Sequence, residues 1–346
     1  MHIPDGYLSL QTTLPAIGVM IPFWTVALNK VKKVLSHKQI PLLSMCAAFS
    51  FVIMMFNVPI GQSSVHAVGA VFIAILLGPW AACISVSIAL ILQALVFGDG
   101  GVIAIGMNCF NMAIVMPFAG YYIYKLIAGK SALLSKRSLL GIFTGSYIGI
   151  NIAALFTAIE FGIQPLLFKA ADGNPLFGYY PLSVSIPTMM AEHTLLAGPI
   201  EGIITVAAIT YLAKSAPHLL GVGDKFHTDI ESSVFKRYKS FIIGLIVLVV
   251  LTPLGLIATG TAWGEWSMTE LQKKIGYIPQ GFAKLSDIWT SIMPDYAAPG
   301  LEGGVFQSAL GYIISAIVGI ALISTVMLIT FKLLMKEQKD KGEDKD

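Results

Sequence analysis

Charge is what this sequence has least of. Only 12% of its 346 residues are Asp, Glu, Lys or Arg, against roughly 25% in a soluble domain. Cysteine is scarce too: Cys46, Cys83 and Cys109 sit inside apolar runs without C-x-x-C spacing, which excludes a disulfide framework and a zinc knuckle. They read as small core hydrophobes. No G-x-x-x-x-G-K-[ST] stretch occurs, so the chain has no phosphate loop with which to hydrolyse ATP. Glu192-His193 lacks the second His of H-E-x-x-H, which argues against an intramembrane metalloprotease. No inverted repeat of the kind found in many secondary transporters is present, so a stand-alone proton-coupled metal carrier is a weaker alternative. The amino terminus also lacks the basic start of a cleavable signal peptide.

What the sequence has in abundance is oil. Hydrophobic residues make up 56% of it and the mean hydropathy is +0.78, as expected of an all-α polytopic membrane protein in a lipid bilayer. A crossing helix needs about 20 apolar residues, and the spans 10–29, 40–58, 65–78, 80–97, 102–125, 138–164, 182–213, 239–258 and 304–331 qualify as nine helices. The third is short, being cut off by Gly78-Pro79, and is expected to be tilted, re-entrant or protected by its neighbours.

The basic residues test this count, because cytoplasmic loops collect Lys and Arg. With the amino terminus outside, the inside segments carry Lys30, Lys32, Lys33 and Lys38; Lys125, Lys130, Lys136 and Arg137; Lys214, Lys225, Lys236, Arg237 and Lys239; and Lys332, Lys336, Lys339, Lys341 and Lys345. Only Lys169, Lys273, Lys274 and Lys284 remain outside. Dropping one helix would invert every later loop. The expected topology therefore has an exterior amino terminus and a cytoplasmic carboxyl terminus, and it accounts for the pI of 8.6 without a nucleic-acid partner.

Organisation follows from the loops. A unit over 1–215 is joined by a cytoplasmic linker, 216–238, to a helix pair over 239–331, with a charged cytoplasmic tail over 332–346. That pair flanks an exterior loop, 259–303, in which Ser267-x-x-Glu270 spells a capping box, so this loop is expected to be folded.

The opening MHIPDGYLS carries the chemistry. A chain whose second residue is His can wrap a divalent metal with its α-amine, its deprotonated second amide nitrogen and the imidazole Nδ1. Three coplanar nitrogens leave one vacant corner, and such tetragonal sites suit Ni(II) and Cu(II). The bulk of His2 disfavours methionine removal, so the amine is expected to be that of Met1. Pro4-Asp5-Gly6 is a turn sequence that can fold Met1 and His2 back into the bundle. His66, in SSVHAVGA, lies at matching depth and offers the fourth nitrogen.

MHIPDGYLS, SSVHAVGA, FGDGGVIAIGMNCFNMA and HTLLAGPIEGIIT together resemble the metal-binding membrane (S) component of the energy-coupling-factor transporters for nickel and cobalt, over residues 1 to about 215. Residues 235–331, with PLGLIATGTAWGEW, are similar to the small two-helix accessory subunit of the same systems. The resemblance implies a seven-helix S-component bundle fused to a two-helix hairpin, in a prokaryotic cytoplasmic membrane. It implies Ni(II), or Co(II), as transported substrate, bound by Met1, His2 and His66. It also implies a separate transmembrane coupling subunit and a pair of cytoplasmic ATPases as partners. Cobalt uptake would tie the protein to cobalamin synthesis. The A-x-x-x-A face through which related S components often touch the coupling subunit is matched only by Ala70 and Ala74.

Ionisable groups at membrane depth are functional hypotheses by default, and Glu160, Glu192, His193 and Glu201 qualify. Glu192 and Glu201, nine residues apart, should face about 180° apart at 100° per residue, whereas His193 and Glu201 fall within about 80°. His193 and Glu201 are expected to support the ligands from behind. Asn108 and Asn111, at i and i+3, are placed to hydrogen-bond the binding loop or to join helices, and Asp99 at the mouth is placed to attract cations.

Overall fold

The computed structural model describes residues 1–34, 40–220, 234–258, 260–301 and 303–343. All nine apolar segments are helical within these limits. The first two helices are α1 (Leu10–Val34) and α2 (Ile40–Met54). They are followed by α3 (Ala70–Leu77) and by α4 (Pro79–Leu92), which runs on through a π turn, Gln93–Phe97. A second continuous helix is built from α5 (Ile105–Cys109), a π turn (Phe110–Val115) and α6 (Met116–Ala128). Then come α7 (Lys136–Leu167), and α8 (Leu182–Glu192) joined through the π turn His193–Ala197 to α9 (Gly198–Ser215).

Six helical stretches are long and apolar enough to cross a membrane: Leu10–Lys33, Pro79–Phe97, Lys136–Leu167, Leu182–Ser215, Phe235–Ile257 and Val305–Leu333, with Ile40–Met54 a shorter apolar helix. Leu126, Leu195 and Ile203 project outward from this bundle, as lipid-facing residues must. The third predicted span is the exception. At 1.5 Å per residue, the eight residues of α3 reach only about 12 Å, well short of a bilayer core of about 30 Å. Its first five residues are buried among its neighbours.

Residues 58–65 are not helical. Val58–Ile60 (β1) and Ser63–Val65 (β2) form an antiparallel hairpin turning at Gly61-Gln62. Pro59 lacks the N–H that would continue α2, so the predicted second span ends at Met54 and a small sheet stands in an otherwise α-helical chain. The hairpin delivers His66 at the end of β2.

The carboxyl-terminal part begins with α10 (Val234–Leu251), and most of the predicted linker 216–238 lies outside the described residues. The segment from α10 to α13 (Val305–Glu343) is folded, containing α11 (Met268–Ile275) and α12 (Gln280–Leu285). The capping box forms: the Ser267 hydroxyl accepts from the Glu270 N–H, and the Glu270 carboxylate accepts from the Ser267 N–H at 2.9 Å. The helices α10 and α13 pack along α2, with Gly319 of α13 pressed onto the Phe51 ring. Residues 344–346 of the predicted tail lie outside the described residues.

Candidate metal centre

The first nine residues run inward from α1 and are largely buried. Met1, His2 and Ile3 are only 6%, 1% and 0% exposed. A charged terminus in such a place must be satisfied, since an unpaired buried charge is costly. Here the Met1 amine donates to Glu265 Oε1 at 3.1 Å.

The segment is pinned at every step. Ile3 N–H donates to Asn108 Oδ1 at 2.9 Å, while Asn108 Nδ2 and the Gly101 N–H both donate to Ile3 O. The Asp5 carboxylate accepts from the Val102 and Ile103 N–H groups, each at 2.9 Å. Burial raises the Asp5 pKa, partly offset by these amides. A side chain at Gly101 would strike Asp5 and Pro4, so only glycine permits this approach. Tyr7 hydroxyl donates to Trp266 O at 2.7 Å, and Gln164 Oε1 accepts from the Ser9 N–H at the start of α1.

This threading brings two imidazoles together. His66 Nε2 lies 3.2 Å from His2 Nδ1, and His66 Nδ1 lies 3.1 Å from Ala67 O. A carbonyl can only accept, so Nδ1 of His66 carries the proton and Nε2 presents a lone pair. Metal-ligating histidines habitually donate their second ring N–H in this way. Burial, then the charges of His2 and the amine, lower the His66 pKa to about 3. The ring is therefore neutral at pH 7.

His66 is held from behind. Glu201 of α9 accepts from the Val68 and Gly69 N–H groups at 2.7 and 3.0 Å, and Gly69 turns the chain into α3 with a φ of 72°. His193 donates from Nδ1 to Met189 O at 2.8 Å and lies near enough to the Met1 amine to feel its charge. Glu192 meets Ser63 of β2, so Glu192 and Glu201 both face the hairpin and its exit, contrary to the expectation of opposite faces. The π turn between them absorbs one residue of the helical count, which brings their directions from about 180° to about 80° apart.

Asp99 is the anion beside His2. Its Oδ1 lies 3.0 Å from His2 Nδ1, and its Oδ2 accepts from Tyr296 hydroxyl and Gln93 Nε2. Burial pushes the Asp99 pKa up, but the facing His2 and His66 and the Tyr296 hydrogen bond outweigh it and hold the carboxylate well below its ordinary range. Asn108 therefore joins the binding segment, whereas Asn111 turns away and donates to Glu160 at 2.7 Å and to Thr157. It joins helices instead.

Glu265, Tyr296, Gln93, Asp5 and Gln164 were not singled out in the sequence. Asp5 stood inside the Pro-Asp-Gly turn and Glu265 beside the capping box, but neither signal names a partner. Alongside these residues a cavity of 520 Å³ is lined by five carboxylates, those of Asp5, Glu265, Glu270, Asp287 and Asp295, and by no cationic side chain. Among the described residues no three His, Cys, Asp and Glu side chains cluster as a metal site. A purely side-chain, carboxylate-rich centre is thus not on offer, and backbone nitrogen donors become necessary.

The family model described as the cobalt uptake substrate-specific transmembrane region, CbiM, matches residues 2–219. The chain belongs to the CbiM family. A PDGLE domain matches residues 238–336, so this CbiM-family chain carries both parts in one polypeptide. It is 42% identical over 339 residues to the fused nickel transport protein NikMN of Rhodobacter capsulatus, covering 93% of this chain and 95% of the relative. It is 41% identical to the probable fused nickel transport protein LarMN of Lactiplantibacillus plantarum, with the same coverages. A crystal structure of a transition metal transporter is 48% identical, with a TM-score of 0.60 over 67% of this chain and 100% of that one. A truncated transition metal transporter is 50% identical, with a TM-score of 0.58 over 62% and 99%. A CbiM-family chain of this kind is a multi-pass membrane component of metal transport and not an enzyme.

Proposed function

We propose that this chain is the substrate-binding membrane component of an ATP-driven uptake system and captures Ni(II) from the exterior in a plane of four nitrogens. The donors are the Met1 amine, the deprotonated His2 amide, His2 Nδ1 and His66 Nε2. The observation that carries this reading is the 3.2 Å between His66 Nε2 and His2 Nδ1. With metal–imidazole bonds of about 2.0 Å, adjacent corners of a square lie about 2.8 Å apart. Closing the gap takes a few tenths of an ångström.

In such a chelate the amine, amide and imidazole take consecutive corners, so the fourth ligand must be a neighbour of both His2 Nδ1 and the amine. His66 meets the first requirement by contact, and its fixed tautomer supplies the lone pair. The five carboxylates of the cavity attract cations toward the amine corner. Residues 1–215 form the metal-binding unit and 239–331 the accessory unit, joined by the 216–238 linker, with the tail 332–346 cytoplasmic. The sequence has no phosphate loop, so hydrolysis falls to a separate pair of ATPases acting through a transmembrane coupling subunit.

Cobalt is the second reading, favoured by the description of the matching family. Metal analysis of the purified chain, with titration of Ni(II) and Co(II) into wild type, H2A and H66A, tests both. Full-affinity binding by either variant would overturn the four-nitrogen site, and exclusive retention of Co(II) would reverse the choice of metal.

A further inference from the structure

Asp99 has two faces. Oδ1 points to His2 Nδ1 at 3.0 Å. Oδ2 takes the Tyr296 hydroxyl at 2.5 Å and Gln93 Nε2 at 3.2 Å, and Gln93 Nε2 also reaches the Tyr296 oxygen at 2.7 Å. The hydroxyl and the amide thus engage one carboxylate oxygen and leave the other facing the donors.

Tyr296 belongs to the segment joining α10 and α13, and much is spent on aiming it. Asp295 and Tyr296 both adopt left-handed backbone, with φ of 52° and 59°, a conformation that non-glycine residues rarely hold unless their surroundings impose it. The surroundings here are specific. The Tyr296 ring stacks on Phe97 at 5.1 Å and meets Phe51 and Tyr312 edge-on. Its carbonyl accepts from Ser315 of α13 at 2.7 Å, and the strand of chain before it is tied to the end of α4 by Met293 N–H to Val96 O at 2.8 Å. None of these contacts requires the hydroxyl.

Ni(II) bound through one amidate carries a net charge of +1 at the centre of the donor plane. Loading neutralises the ammonium at the Glu265 corner and moves the positive charge toward His2. A buried charge without a counter-charge is unstable, and Asp99 is the carboxylate at that side.

We propose that Tyr296 is a positioning residue of the metal site: by holding Asp99 Oδ2 it keeps Oδ1 turned toward the metal, so that retention of the cation depends on a side chain of the carboxyl-terminal unit. This rests on the four-nitrogen reading and assigns that site a support from the PDGLE part of the chain.

The test uses the full chain in nanodiscs loaded with Ni(II), with release followed after addition of a chelator. Tyr296→Phe keeps every ring contact and removes only the hydroxyl. It should speed release by about 10-fold, toward the range of 10–100-fold typical of outer-shell partners, with the visible band retained. Asp99→Asn should do at least as much, and adding Y296F to D99N should change little, because coupled residues are not additive. Tyr312→Phe, which touches the same ring but not Asp99, should behave as wild type. Wild-type release by Y296F, or losses that add in the double variant, would overturn the proposal. Should Y296F fail to purify, Gln93→Met removes the other donor to Oδ2 and faces the same criteria. Loss of the four-nitrogen reading itself is recognised separately, by H2A or H66A binding Ni(II) normally.

Discussion

The Met1 amine and the Glu265 carboxylate, 264 positions apart in sequence, meet at 3.1 Å. The contact ties the first residue to the segment between α10 and α13. It also occupies the amine that the proposed chelate requires, so Glu265 must release it on loading. The positive charge near Glu265 moves but does not disappear, and a part-exposed ion pair contributes about 0.2–1 kcal/mol. Glu265→Gln should therefore leave Ni(II) affinity within about fivefold of wild type, on the tighter side. Slower association is also expected, because a carboxylate is lost from the acidic cavity. Calorimetry and stopped-flow mixing read the two effects, and a large loss of affinity would show that Glu265 is itself a ligand.

An amino terminus that is 6% exposed at Met1 has no room for an extension. A residue added before Met1, or acetylation of its amine, should abolish high-affinity binding, since both remove a free amine next to His2. Mass spectrometry must show that the tag is retained. Near-normal binding by such a protein would remove Met1 from the ligand set.

His66→Ala should cost more binding than His193→Ala. His66 turns a lone pair toward His2 Nδ1, whereas His193 is anchored within its own helix to Met189 O and at most orients neighbours. For His193→Ala the loss should stay within the 10–100-fold of an outer-shell residue. Equal losses in titrations of the two folded variants would mean that the roles are misassigned.

Much of this was legible in the sequence, and the reasons are physical. Apolar runs long enough to cross a bilayer announce themselves, and so did the Ser267 capping box, because both are local patterns. His2 was legible because the chelate depends on its distance from the amine. The hairpin at 58–65 was not, since Pro59 and Gly61 read only as an end to α2. The π turn at His193–Ala197 leaves no pattern in composition, yet it swung Glu192 onto the side of Glu201. Glu265 and Tyr296 were invisible for another reason: their partners, Met1 and Asp99, lie 264 and 197 positions away, and no local pattern encodes such a pairing.

Acid and colour distinguish the nitrogen plane from any carboxylate alternative. Strong in-plane nitrogen donors pair the electrons of Ni(II), so the loaded protein should be yellow and diamagnetic. Binding must expel the His2 amide proton and, below the usual α-amino range of about 7.7–8.0, one proton from Met1. His66, with its pKa lowered to about 3, adds none of its own between pH 8 and 4. At least two protons thus leave for each metal bound, and by linkage the affinity should fall at least about 100-fold for each pH unit below neutrality. A site built on Glu192 and Glu201 would instead compete with protons only near the carboxylate range of about 4 and give a pale, paramagnetic complex. Titrating the Ni-loaded chain from pH 8 to pH 4 while recording the visible spectrum should show the yellow band vanish together with the metal well above pH 5. Metal still bound at pH 5 without that band would place the site away from the amino terminus.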